Sequence, residues 1–134
     1  MLTSSSDYHI FHKLKFPSRK ACMDAYCEVV QAAFDAGVRP RCHLEDVTRA
    51  DIGGFVLPFV DRLMEMSEQV PEELSAKIRL CDTMGFGVSY PGAELPRSIP
   101  KLIYKLRNEC GVPADRLEWH GHNDFHKVHV NGGT

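Results

Sequence analysis

Apolar residues recur at helical spacing in three separate stretches of the chain, and a short run of strand character follows each of them. The first predicted helix begins at Ser18, a plausible N-cap after Pro17, and ends at Gly37. The spacing predicts an amphipathic helix that buries one stripe of side chains. That predicted stripe consists of Cys22, Tyr26, Val29 and Ala33.

The second and third predicted helices also carry one apolar face each. Pro58 lies inside the second pattern, so we expect a kink or a later start there. The third helix begins near Ser98, accommodates Pro100 in its first turn and ends at Gly111. The two apolar faces consist of Ile52, Val56, Phe59, Leu63 and Met66 in the second helix, and Ile99, Leu102, Ile103 and Leu106 in the third.

Three strands are predicted, over residues 38–45, 77–83 and 116–122. Pro40 restricts the first of them to a strand start or an edge strand, because proline cannot donate to a ladder. Residues 2–16 form a polar entry, in which 3–7 is predicted as a loop. The order helix, strand, helix, strand, helix, strand is typical of right-handed crossovers and a parallel sheet.

Each predicted strand ends in a polar cluster, and the clusters recur at a regular interval. Glu45 and Thr83 are 38 residues apart, and Thr83 and His120 are 37 residues apart. The clusters therefore fall at the carboxyl ends of successive strands, which hold the active site in open α/β sheets and in barrels alike. The sequence has no Gly-x-Gly-x-x-Gly turn, which disfavours a dinucleotide-binding sheet.

The third strand ends in two histidines, His120 and His122, with Gly121 between them. Side chains alternate along a strand, so both imidazoles point to the same side. Such a pair can supply two ligands to one divalent metal, and the third is usually a carboxylate. The alternative interpretation is two polar residues at a strand terminus without a ligand.

The first two strands carry polar residues for which two interpretations also remain open. Arg41, His43 and Glu45 alternate along one face, where three polar side chains are costly unless they meet a ligand, a metal or each other. The alternative is the solvated face of an edge strand. Thr83 follows Asp82 and can either donate to a substrate carboxylate or cap its own turn.

Composition narrows the class of protein. The chain has 134 residues, enough for about one domain, and its formal net charge of −2 gives no basic footprint for nucleic acid. No apolar run approaches the roughly 20 residues of a membrane span. The five cysteines form no Cys-x-x-Cys pair, which favours reduced thiols in a cytoplasmic protein.

Taken in order, four segments resemble one known enzyme family. They are residues 6–15, 41–46, 81–85 and 120–124, of which the last, His-Gly-His-Asn-Asp, is the most specific. Together they are similar to the metal-dependent, acetyl-CoA-condensing TIM-barrel enzymes. That family includes the 2-isopropylmalate, homocitrate, citramalate and Re-type citrate synthases, with the 3-hydroxy-3-methylglutaryl-CoA lyases as relatives.

The resemblance implies an α/β fold, a partial (β/α)8 barrel comprising about strands three to six. We therefore expect residues 1–134 to be a single partial catalytic barrel domain, truncated at both ends and lacking a helix over the last strand. By position, the resemblance makes Glu45 a catalytic group. It also assigns substrate-binding roles to Arg41, His43 and Thr83, and metal ligation to His120 and His122.

The implied activity is that of an acyltransferase, which condenses acetyl-CoA with a 2-oxo acid and then hydrolyses the thioester. The implied cofactor is a divalent ion (Mn, Mg, Zn or Co), with acetyl-CoA as co-substrate, in a cytoplasmic homodimer of carboxylic acid and amino-acid biosynthesis. His43 and the run 125–127 depart from the common family pattern and favour a dicarboxylic oxo acid. The alternatives are a metal-dependent carbon–carbon lyase or aldolase, and a non-catalytic barrel fragment.

Overall fold

The predicted alternation of helices and strands is confirmed in a computed structural model that describes residues 1–132. Three strands form one sheet in the order β1-β2-β3, and both neighbouring pairs are parallel. No helix in this described range is long and apolar enough to cross a membrane. The elements are α1 (Arg19–Asp35), β1 (Arg41–Leu44), α2 (Leu57–Ser67), β2 (Lys77–Asp82), α3 (Ile99–Asn108), β3 (Leu117–Gly121) and α4 (Val128–Gly132).

The predicted helix starts agree with the capping chemistry. The side chain of Ser18 accepts a hydrogen bond from the amide of Ala21 at 3.0 Å, and Ser98 caps α3 in the same way. Pro58 lies in the first turn of α2, where its missing amide hydrogen costs nothing. The second apolar pattern therefore contains a later helix start rather than a kink, and a π-helical turn precedes it.

The buried stripe of α1 differs from the predicted one. Val30 and Phe34 are buried, whereas Val29 is 52% exposed and Ala33 is only partly buried. The buried row follows a spacing of four residues along the helix, which is the ridge that commonly packs against neighbouring helices. The predicted stripe and the observed buried row both begin with Cys22 and Tyr26 and differ only after them. The sequence pattern allows both rows, and only the packing of the helix decides which one is buried.

The segment predicted as a loop has no regular secondary structure over residues 3–6, but these residues are buried beside β1, whereas Asp7 is helical and partly buried. The amide of Thr3 donates to the carbonyl of His43 at 2.8 Å, and that of Ser5 to Glu45 at 2.9 Å. Residues 3–6 are at most 4% exposed. The small hydroxyl residues of this segment are typical of a loop. They can be buried because their polar groups are hydrogen-bonded to the backbone of residues 43–45.

The hydrophobic core lies between the sheet and helices α1, α2 and α3. Leu44 of β1, and Ile78 and Leu80 of β2, point into this core and are at most 1% exposed. The opposite face of the sheet carries Arg41, Arg79 and most of the other polar side chains of the strands, whereas Asp82 is buried on the helix side. Alternation along the strands thus separates a face that packs from a face that carries chemistry.

The prediction that no helix covers the last strand is wrong. The five-residue helix α4 follows β3 and contacts it. Because so short a helix has no periodic pattern of its own, the sequence gives little sign of it. His126 and His129, near its start, are exposed.

Candidate metal and substrate site

The carboxyl ends of the three strands meet at one edge of the sheet. Cys81 of β2 pairs in register with His120 of β3, and Leu44 of β1 pairs with Leu80. Glu45 follows β1 directly and therefore lies level with Cys81, on the same face as His120. The negative charge of Glu45 also contributes to the raised pKa of the Cys81 thiol, after desolvation by burial. Three strands thus deliver polar side chains to one shared edge.

His120 and His122 converge at this edge. Their Nε2 atoms lie 3.3 Å apart, and the two rings are arranged edge to face. Two imidazole nitrogens bound to one ion at about 2.0–2.1 Å lie roughly 2.9–3.4 Å apart for octahedral to tetrahedral angles. The observed separation fits such a shared ion. The carboxylate of Asp124 lies 3.8 Å from Nδ1 of His122, on the side of the ring away from Nε2.

The histidine pair supplies two of the ligands that a divalent ion needs. Within residues 1–132, no group of three or more His, Cys, Asp or Glu side chains is arranged to hold a metal. Glu45 and Asp124 therefore do not complete the set. The pair fits one side of a metal site whose remaining positions belong to other groups, such as water or a chelating substrate.

Thr83 connects the end of β2 to the end of β1. Its hydroxyl oxygen accepts a hydrogen bond from the amide of Asp46 at 2.8 Å, which leaves the hydroxyl hydrogen able to donate elsewhere. Asp46 has a φ of 60°, so the chain turns sharply here. Thr83 does not cap its own turn, and its hydroxyl faces the same edge as Glu45.

Two buried carboxylates hold the loops around this edge, and sequence analysis assigned a role to neither. Asp46 accepts from the hydroxyl of Ser6 and from the guanidinium of Arg49, which approaches to 2.7 Å. Asp82 accepts from the hydroxyl of Thr48 at 2.6 Å and from two amides of the loop that follows β2. Their place directly beside the polar clusters is the one signal of this role that the sequence contains.

Arg41 and His43 lie on the same face as the histidine pair, but nearer to the amino ends of the strands. Arg41 opens β1, four residues before Glu45, and its Nε atom lies 3.1 Å from the carboxylate of Glu118. His43 is level with Arg79 and Glu118 in the register. The structure therefore brings Glu45, Thr83, His120 and His122 to one edge, and places Arg41 towards the opposite end of the strands.

Glu118 is the centre of a charge cluster on this part of the face. Its carboxylate lies 2.7 Å from Arg79, 3.1 Å from Arg41 and 3.6 Å from Lys77. Desolvation favours the neutral acid, but the hydrogen bond from Arg79 and the three positive charges together hold the pKa of Glu118 below its ordinary value. Three cations for one anion make this region electropositive.

His9 is buried beside the site without being predicted as part of it. It is 7% exposed, and its Nε2 atom lies 3.7 Å from Asp46. Its Nδ1 atom has no hydrogen-bond partner, the one such buried side-chain atom in the described chain. Burial lowers the pKa of His9, which favours the neutral ring. A histidine in a polar entry segment gives no sequence signal of this burial.

No family model matches. The chain is 55% identical over 134 residues to citrate (Re)-synthase from Clostridium kluyveri and 53% identical to the enzyme of that name from Syntrophus aciditrophicus. It is also 43% identical over 131 residues to 2-phosphinomethylmalate synthase from Streptomyces hygroscopicus. The resemblance to the acetyl-CoA-condensing enzymes is confirmed.

The match to these condensing enzymes covers only a part of each of them. All 134 residues align with the two citrate (Re)-synthases, but they span 29% and 21% of those proteins. The crystal structure of hydroxymethylglutaryl-CoA lyase from Pseudomonas aeruginosa matches with a TM-score of 0.65 at 23% identity. The match covers 97% of this chain and 39% of the lyase chain, which confirms the partial barrel fold.

Proposed function

We propose that this chain forms the metal- and oxo-acid-binding part of an enzyme that condenses acetyl-CoA with a 2-oxo acid. The observation that carries the proposal is the convergence of the His120 and His122 Nε2 atoms, 3.3 Å apart, at the edge that also holds Glu45 and Thr83. Citrate is the product of adding an acetyl unit to a dicarboxylic oxo acid. The 55% identity to citrate (Re)-synthase therefore favours oxaloacetate.

The two imidazoles would hold a divalent ion through Nε2, and Asp124 would keep the ring of His122 oriented from the Nδ1 side. When bound, the ion supplies Lewis acidity at the keto carbonyl of the oxo acid. The ion would be manganese, magnesium, zinc or cobalt, and the similarity to the citrate (Re)-synthases supports a divalent ion at this place.

The chain's own side chains would bind the substrate around this ion. The hydroxyl of Thr83, with its hydrogen still available, would donate to a carboxylate of the oxo acid. Glu45, held by the hydroxyl of Ser4 at 3.3 Å, would lie near the acetyl methyl group and take part in moving its proton. Arg41 would add positive charge, and His43 a neutral imidazole able to hydrogen-bond, further along the face, towards a second carboxylate.

Residues 1–134 would act as one unit of a larger barrel, in a cytoplasmic homodimer of carboxylic acid metabolism. The sheet supports this view, because its polar face carries a cluster of partly exposed charges around Glu118. A complete barrel encloses such a face with layers of side chains from its other strands.

Titration with Mn²⁺ or Co²⁺ tests the metal site directly in the chain. The wild type is expected to bind at least tenfold more tightly than His120→Ala, because each imidazole supplies one of the bonds to the ion. His12→Ala is the matched control, since His12 is an exposed histidine outside the three strands. Equal affinity of the wild type and His120→Ala would show that the pair is not a metal site.

An assay of acetyl-CoA-dependent thiol release tests the reaction. Oxaloacetate, 2-oxoglutarate, 2-oxoisovalerate and pyruvate are compared, and oxaloacetate is expected to give the highest rate. Release of acetyl units from a hydroxy acid, without condensation, would instead identify a carbon–carbon lyase. Metal binding without either reaction would indicate that this chain is not catalytic by itself.

A further inference from the structure

We propose that Asn131 is a positioning residue that fixes the carboxyl end of β3 and thereby the geometry of the histidine pair. This inference rests on the proposed metal-binding role of His120 and His122. Asn131 lies on the short helix α4, nine residues beyond His122, and is partly buried. It contacts β3 on both sides of Gly121, the residue that separates the two histidines.

The side-chain amide of Asn131 joins two points of the strand end. Its oxygen accepts a hydrogen bond from the indole Nε1 of Trp119 at 3.1 Å. Its nitrogen donates to the backbone carbonyl of His122 at 3.4 Å. One amide group therefore ties the residue before His120 to the second histidine itself, and uses both its donor and its acceptor.

Gly121 leaves room for this amide. A Cβ atom on residue 121 would lie 1.7 Å from Oδ1 of Asn131 and 2.7 Å from Nε1 of Trp119. The glycine is thus required by a close approach of side chains and not by a left-handed backbone. The chain has packed Asn131 against the one position between the two imidazoles where no side chain exists.

The contact matters because it acts at the point where the strand ends. The ladder between β2 and β3 ends with the pair of Asp82 and Gly121, so the backbone of His122 lies beyond it. The bond from Asn131 supplies an anchor at this point. Groups that orient metal ligands from behind typically change metal affinity by about 10- to 100-fold when removed. The bond from Asn131 reaches the backbone of His122 and orients the imidazole through the strand end.

The experiment compares two substitutions of Asn131 in the full chain. Asn131→Ala removes both hydrogen bonds, whereas Asn131→Asp keeps the acceptor for Trp119 and removes the donor to His122. Co²⁺ affinity, measured by visible absorption, is expected to fall about 10- to 100-fold in Asn131→Ala. Asn131→Asp is expected to lose affinity as well, despite its added negative charge, if the bond to His122 is the one that matters.

Asn108→Ala is the matched control, because the amide of Asn108 also donates to a backbone carbonyl, that of Tyr104, on α3. Circular dichroism verifies that each variant is folded. If Asn131→Ala does not fold, Asn131→Asp alone decides the question. Unchanged Co²⁺ affinity in a folded Asn131 variant would overturn the proposal.

A readout without metal separates this inference from the proposed function. Nuclear Overhauser contacts between the rings of His120 and His122, and amide exchange at Gly121 and His122, report the strand end directly. We expect weaker ring contacts and faster exchange in the Asn131 variants. If the wild type binds no metal, the proposed function fails, and identical ring contacts and exchange in the variants would still overturn the positioning role.

Discussion

The two faces of the three-stranded sheet follow opposite physical rules. On the helix side, Leu44, Ile78 and Leu80 are at most 1% exposed and contact apolar neighbours. On the other side, Arg41 and Glu118 form an ion pair, and the same strands continue into the histidine pair. Adjacent residues of a strand therefore lie in the two different environments, because side chains alternate between the faces.

This contrast shows how stability and chemistry are divided within one element. The apolar face gains free energy from area removed from water, at about 25 cal/mol per Å². The polar face contributes little to the free energy of folding. Each charge loses hydration when it is partly buried, and the attraction to its partners only offsets that cost. We therefore expect the helix side to determine whether the chain folds, and the polar side to determine what it binds.

The largest expected effect is on the apolar face. Leu80→Ala should lower the free energy of unfolding by about 2–5 kcal/mol, because Leu80 is 1% exposed and the truncation leaves a cavity. Urea unfolding followed by circular dichroism measures the change. Arg79→Met, on the neighbouring residue and the opposite face, should cost less than about 1 kcal/mol. Equal losses in the two variants would contradict the division between the faces.

A smaller effect is expected from the charge cluster. Glu118→Gln removes the carboxylate that lies within 4 Å of Arg41, Lys77 and Arg79, and leaves three cations to repel one another. We expect a loss of about 1–2 kcal/mol in unfolding free energy at low salt, reduced at 1 M salt. The control is Glu65→Gln, because Glu65 forms an exposed pair with Arg62. A loss of the same size in the control would show that the cluster has no special role.

The smallest effect is a dependence of stability on pH. Burial, the largest cause, lowers the pKa of His9 and of His43. Nearby positive charges add to the effect, and Asp46 opposes it at His9 without reversing it. The unfolded chain therefore binds protons at these two sites more readily than the folded chain below about pH 6.5. Their stabilising contribution is complete above that pH and is lost as the pH falls through the lowered values.

Thermal unfolding between pH 7.5 and 5 measures this dependence. The melting temperature should fall towards the acid end, and His9→Gln should reduce the slope, since it removes one of the two groups. Glu118 contributes separately at lower pH, because its pKa is lowered and its contribution is lost only as the carboxylate is protonated. A slope unchanged in His9→Gln would show that His9 does not titrate differently in the two states.

Much of the architecture follows from local chemistry and could be predicted. Ser18 and Ser98 start helices because a hydroxyl side chain satisfies an amide that the helix leaves unpaired. Pro58 sets a helix start because it has no amide hydrogen to lose. The parallel sheet follows from alternation, because strands joined by helices cross over in one direction. The facing of His120 and His122 follows from the two-residue period of a strand.

Other features depend on contacts between distant segments. Residues 3–6 lie beside β1 because their amides and hydroxyls find partners about 40 residues later, which no local pattern reveals. The burial of Asp46 and Asp82 depends in the same way on donors from other loops. The same holds for the site. The sequence predicted the polar residues at the strand ends, but it did not predict the contact of the Asn131 amide with the end of β3.

The sequence by itself determined where helices begin, which side chains share a strand face, and that two imidazoles end the third strand. These depend on neighbours within a few residues, and their energies are local. Tertiary structure decided the 3.3 Å approach of the two Nε2 atoms, the pairing of Arg41 with Glu118 and the loss of water from His9. Distances between chain segments and the exclusion of water exist only once the whole sheet and its helices have packed.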